Sequence, residues 1–88
     1  MGWTFLTTHG LVLVEIAGDP QQTMRSLAEK LGVTERTVQS VIHDLVAEGY
    51  VTRVRIGRRN VYRVDPTRPM RHPVAAEHDV AALLRALA

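Results

Sequence analysis

The chain contains no cysteine. Disulfides, thiolate metal sites and cysteine nucleophiles are therefore excluded. A long apolar run is also missing: Leu11 to Ala17 is interrupted by Glu15 and falls far short of the roughly 20 residues of a membrane-spanning helix. No basic segment precedes that run, so a signal peptide is not expected. The expectation is a soluble, cytoplasmic protein without a membrane partner. There is no paired-carboxylate motif, no nucleophile–base set and no glycine-rich phosphate loop, and the acidic residues are scattered over predicted helix surfaces. No enzyme and no catalytic residue are expected. His9, His72 and His78 lack metal-ligand spacing, so neither a metal site nor a cofactor is expected. Internal repeats and low-complexity stretches are absent too. Lysine is reduced to Lys30 against ten arginines. A GC-rich genome would explain that choice of arginine, but not where the arginines fall.

What is present is an 88-residue chain with 45% hydrophobic residues, the composition of one globular domain. A domain of this size has a modest core, and oligomerisation is a common way to add burial. The net charge of +2 hides a strong asymmetry. Residues 1–48 carry three basic against six acidic side chains, net −3. Residues 49–72 carry seven arginines against Asp65 alone, net +6. Residues 73–88 carry Arg85 against Glu77 and Asp79, net −1. Such a basic block points to a polyanionic partner.

The pattern predicts a first helix over about 7–17, with Thr8 as its N-cap and Gly18-Asp19-Pro20 as its stop. It is apolar almost all round and should be central to the core. Trp3, Phe5 and Leu6 precede it. A second helix is predicted over 24–31, capped by Thr23 and ended by Gly32; a third over 34–48, capped by Thr34 and ended by Gly49. Two short helices joined by a glycine-containing turn form a helix-turn-helix pattern. Phasing the third helix turns Val38, Val41, Ile42 and Leu45 inward and Arg36, Gln39, Ser40 and His43 outward. Residues 50–56 and 61–64 then alternate as two strands. Val54 and Ile56 fall on one face with Arg53 and Arg55 on the other, while Tyr62 and Val64 turn inward and Arg63 outward. Gly57-Arg58-Arg59-Asn60 is expected as a four-residue hairpin loop. Prolines at 66, 69 and 73 interrupt regular structure, and a last helix is predicted over 74–87 with Ala76, Val80, Leu83, Leu84 and Leu87 on one stripe.

Leu27-Ala28-Glu29-Lys30-Leu31-Gly32-Val33-Thr34, followed by Val38, Val41, Leu45 and Gly49-Tyr50-Val51, resembles the winged helix-turn-helix of bacterial transcriptional regulators. Gly57-Arg58-Arg59-Asn60-Val61-Tyr62 resembles their wing, and the likeness runs over residues 7–65. Small regulators of the MarR and ArsR kind are the nearest in pattern. Pro69-Met70-Arg71-His72-Pro73 resembles a segment that follows the wing in small single-domain proteins of this type from high-GC bacteria. The resemblance implies an α+β fold: a three-helix core, a short strand near Gln21–Thr23, and a hairpin wing over an extra C-terminal helix. Residues 1–66 would be the DNA-binding domain, and residues 67–88 a proline-rich connection and a dimerisation helix. The chain departs from MarR proteins in lacking their long terminal dimerisation helices, and from ArsR metal sensors in lacking cysteine.

The same resemblance implies a sequence-specific double-stranded DNA-binding regulator acting as a homodimer. The third helix would enter the major groove, and base readout would fall to Arg36, Thr37, Gln39, Ser40 and His43. Arg36 has the donors for guanine O6 and N7, and Gln39 has the groups for adenine N6 and N7. Thr34, beyond its capping role, is placed for phosphate contact at the helix N-terminus. Wing contacts to backbone or minor groove would fall to Arg53, Arg55, Arg58, Arg59 and Asn60. Dimerisation would fall to Trp3, Phe5, Val80, Leu83, Leu84 and Leu87. Plainer readings stay open: Arg36 paired with Glu35 or Asp44, and His43 merely solvated. A protein-interaction module with an acidic partner, or a structured-RNA binder, would use the same basic wing. The effector, the target sequence and the sense of regulation are not legible.

Overall fold

The computed structural model describes residues 2–87. Helix α1 (Thr8–Gly18) is capped one residue earlier than expected, because Thr7 rather than Thr8 accepts from the Gly10 N–H at 3.2 Å. It also runs through Gly18 and closes at Asp19, whose N–H bonds to the Glu15 carbonyl at 2.9 Å. Val12, Leu13 and Ile16 are buried, and α1 packs on every other helix and on the sheet, as its all-round apolarity anticipates.

Helix α2 (Met24–Leu31) is capped by Thr23, which accepts from Ser26 N–H at 3.0 Å. It ends at Gly32 with φ of 69°, the left-handed conformation that glycine takes without a Cβ penalty. Helix α3 (Glu35–Ala47) is capped by Thr34 and turns Val38, Val41, Ile42 and Leu45 into the core. Both the cap and the inward stripe match the sequence reading.

The hairpin pairs β1 (Val51–Ile56) with β2 (Arg59–Val64) antiparallel, in register Val51↔Val64 through Ile56↔Arg59. Three expectations fail here. The loop is two residues, Gly57-Arg58, not four. Gly57 alone takes positive φ, at 62°, the pattern of a type II′ hairpin turn, so Arg59 and Asn60 lie in the ladder. In β1 the core-side face is also the one that bears Arg53 and Arg55, not the Val54–Ile56 face, whereas Tyr62 and Val64 lie inward and Arg63 outward as expected. Residues directly opposite share a face, so Val51, Arg53 and Arg55 lie with Val64, Tyr62 and Asn60 on the core side, while Thr52, Val54 and Ile56 lie with Arg63, Val61 and Arg59 outside. Val54 and Ile56 are accordingly 37% and 61% exposed. Finally, no strand forms near Gln21–Thr23 among the described residues; a single bond, Tyr62 N–H to the Pro20 carbonyl at 3.1 Å, is all that stitches that loop to the hairpin.

Residues 65–79 form a strap that folds back under the hairpin. Asp65 N–H bonds to the Tyr50 carbonyl and Met70 N–H to the His78 carbonyl, both at 2.9 Å, and Pro69 bridges to Asp79. These bonds consume the backbone that a helix over 74–79 would need. The structure therefore has one 3₁₀ turn, Pro73–Ala75, and a shorter final helix, α4 (Val80–Leu87). Val80 is 1% exposed and joins the same core as α1, α2 and α3. The whole is an α+β winged helix. No described helix is long and apolar enough to cross a membrane.

Candidate nucleic-acid interface

The outward face of α3 carries Arg36, Thr37, Gln39, Ser40 and His43, all exposed, as the phasing requires. Arg36 forms no ion pair among the described residues, and Asp44, one of its two candidate partners, is held instead by His9 Nε2 at 2.8 Å. Thr34 accepts from Thr37 N–H at 3.1 Å, and the two hydroxyls lie 3.0 Å apart. The pair forms a small polar cluster over the free N–H groups at the start of α3. Glu35 sits in the same first turn and offsets part of the positive helix end.

On the wing, Arg53, Arg55, Arg58, Arg59 and Arg63 are exposed, and among the described residues none meets a carboxylate. The two strands and the turn distribute them to both faces and the tip rather than to one outer face. Arg55 curls onto the turn, its Nε donating to the Gly57 carbonyl at 3.2 Å. Arg58, Arg59 and half-buried Asn60 line a groove against Gln21, Gln22 and Thr23 from the loop before α2, with Met24 and Tyr62 adding apolar surface. That loop was not among the sequence candidates. The signal that could have found it is its amide-rich Gln21-Gln22-Thr23 run immediately before a helix. Arg63 was left out of the candidate set as well, although its outward position was expected.

Two arginines of the basic block are engaged within the chain. Arg68 lies 5.5 Å from the centroid of the Tyr50 ring and donates through Nη2 to the Glu48 carbonyl at 2.8 Å, capping the C-terminal end of α3. It comes so close to Gly49 (φ 82°) that a Cβ there would meet the guanidinium at 3.4 Å. The Tyr50 hydroxyl in turn donates to the Pro69 carbonyl. Arg71 pairs with Glu48 at 3.6 Å. Both thus brace the strap against the third helix.

Of the residues assigned to dimerisation, Val80 is spent inside the chain and has no area to offer a second copy. Leu83 and Leu84 pack against the chain's own core and are half-buried, while Leu87 is 50% exposed. Trp3 and Phe5 are 78% and 92% exposed. Among the described residues no group of three or more His, Asp or Glu is placed to hold a metal ion.

Comparison with known proteins places this geometry. A family model described as "MarR family" matches residues 4–58, more than half of the chain. The zinc-dependent MarR family transcriptional regulator AdcR, in its Zn(II)-bound state, is similar with a TM-score of 0.53 and 22% identity, over 74% of this chain and 47% of that one. A candidate transcriptional regulator from Listeria innocua is similar with a TM-score of 0.51 and 26% identity, over 78% and 53%. This chain spans about half the length of each. No curated protein matches it.

Proposed function

The chain belongs to the MarR family, and on that premise we propose that it is a transcriptional regulator that binds double-stranded DNA sequence-specifically, as a homodimer. The observation that carries this reading is the exposed polar face of α3 beside five wing arginines that meet no carboxylate among the described residues. A face with donors and acceptors but no apolar anchor suits base edges better than a protein surface. Arg36 and Gln39 read bases in the major groove, with Ser40 and His43 at the edge of reach. Thr34 and Thr37 hold a phosphate. Arg53, Arg58, Arg59 and Arg63 clamp the backbone, with Asn60 and Arg55 at the wing–groove boundary. Two such units about one DNA turn apart read an inverted repeat.

Selection of bound fragments from a genomic library, read beside a solution mass, tests the proposal. A selected inverted repeat bound by a dimer is expected. Failure to retain any double-stranded DNA at low salt contradicts DNA binding. A monomer that selects no motif favours an interaction module for an acidic partner.

A further inference from the structure

The wing sheet has an unused side. Strand β1 pairs with β2 alone, and its other edge meets no strand among the described residues. The phase of the ladder tells which groups that edge presents. Tyr62 N–H bonds to the Pro20 carbonyl, away from β1, whereas Asp65 N–H bonds to the Tyr50 carbonyl. In an antiparallel pair, hydrogen-bonded and non-bonded positions alternate. Tyr62 and its partner Arg53 are therefore a non-bonded pair, and so are Asn60 and Arg55. The backbone N–H and C=O groups of Arg53 and Arg55 thus point out of the free edge. Among the described residues none of these groups has a backbone partner, and Thr52 to Ile56 are all exposed.

Such an edge is a template for a further strand. Its side chains decide which strand fits. Arg53 and Arg55 stand on one face, and Val54 and Ile56 on the other. Residues 51–64 include no Asp or Glu, and among the described residues no carboxylate meets either arginine. A second copy is a poor occupant. Residues directly opposite share a face, so two β1 edges would set arginine against arginine. A nucleic acid has no alternating amide donors and acceptors to offer the edge. A peptide strand with carboxylates opposite Arg53 and Arg55, and apolar side chains beside Val54 and Ile56, complements charge, apolar surface and backbone together.

We propose that the free edge of β1 accepts, by strand addition, an extended acidic segment of a partner protein, and that the added strand displaces DNA from the wing. Main-chain hydrogen bonds to the N–H and C=O of Arg53 and Arg55 set its register. Carboxylate–guanidinium pairs with the same two residues set its charge pattern. The displacement rests on the reading above, in which both arginines lie at the DNA; the strand addition does not.

The test uses the full chain and a blocked synthetic peptide of alternating glutamate and valine, long enough to span β1. Amide hydrogen exchange is followed by NMR as the peptide is added at low salt. Exchange at Arg53 and Arg55 should slow, while Thr52 and Val54, whose amides already face β2, should change little. Methylating peptide nitrogens separates edge from charge. In the added strand the glutamate N–H groups face β1 and the valine N–H groups face water. N-methylation at the glutamates should weaken binding by about tenfold or more, and at the valines by no more than about twofold. Arg53→Glu with Arg55→Glu should lose the glutamate peptide and gain one in which lysine replaces glutamate, which also shows that the variant folds. No binding of the unmodified peptide, or equal losses for the two methylated forms, overturns the strand addition. Bound double-stranded DNA should leave as the peptide saturates the chain. Peptide and DNA held together overturn the displacement. A chain that retains no double-stranded DNA, yet protects Arg53 and Arg55 with the peptide, overturns the DNA reading and the displacement with it, and leaves the added strand standing.

Discussion

The wing and the strap that follows it are both rich in arginine, and they use it in opposite ways. On the wing, five guanidinium groups face solvent without a carboxylate partner among the described residues. On the strap, Arg68 stacks on Tyr50 and caps the end of α3, and Arg71 pairs with Glu48. An arginine is equally suited to bidentate phosphate contact, to stacking and to capping carbonyls. What separates the groups is location. A hairpin that projects beyond the helices leaves its side chains only water or a ligand to meet. A segment that folds back under the core brings its side chains to the exposed carbonyls of a helix end. The seven arginines of the basic block thus divide into five that stand exposed on the wing and two that brace the strap.

The comparison predicts different losses for the two groups. The largest is expected for charge reversal at the wing tip: Arg58→Glu with Arg59→Glu should lower affinity for every double-stranded sequence by on the order of a hundredfold. Thermal stability should stay within about 0.5 kcal/mol of the parent. Next comes Arg36→Ala, which should cost about 1–3 kcal/mol of discrimination at one base pair and relax sequence preference there, read by competition between target and mutated sites. If the wing and Arg36 variants lose affinity alike across all sequences, the division into clamp and reader fails. Arg68→Ala should behave as a brace, lowering unfolding stability by about 1 kcal/mol in denaturant titrations. The smallest effect concerns the strap's first residue. Hydrogen bonds from the Thr67 hydroxyl and backbone hold the Asp65 carboxyl below the usual carboxylate range, with Arg68 adding to the shift. A lowered folded value means that its stabilisation is present above the unfolded carboxylate value and is lost as pH falls through the folded one. Asp65→Asn should therefore lower thermal stability slightly near neutrality, flatten the acid limb, and leave stability unchanged once the pH is well below the carboxylate range.

Much of this organisation is legible in the chain because it is local. Thr23 and Thr34 announce helix starts through hydroxyls that reach N–H groups three residues on, and Gly32 and Gly49 announce stops through a conformation other residues avoid. The polar face of α3 follows from its period. What the chain hides is non-local. Alternation along 51–56 reveals that two faces exist, but not which one meets the core. Val51 settles that by entering the core directly after Tyr50, and the hairpin then outruns the helices, so apolar Val54 and Ile56 end up outside. Arg68 and Glu48 are twenty residues apart, and no spacing rule links them. The strap's cross-bonds likewise shorten the final helix from a distance, and they carry Val80 inward, away from any second copy.

The central claim is that the wing arginines meet phosphates and the strap arginines do not. The salt dependence of DNA binding measures this most directly, because each phosphate contact adds to the slope of log K against log salt. If the dimer neutralises ~6–8 phosphates, the slope should lie near −5 to −7. Arg58→Ala should make it shallower by about one per lost contact, hence by about two for the dimer. Arg68→Ala should leave the slope parallel to that of the parent. Equal shallowing by Arg58→Ala and Arg68→Ala would contradict the account.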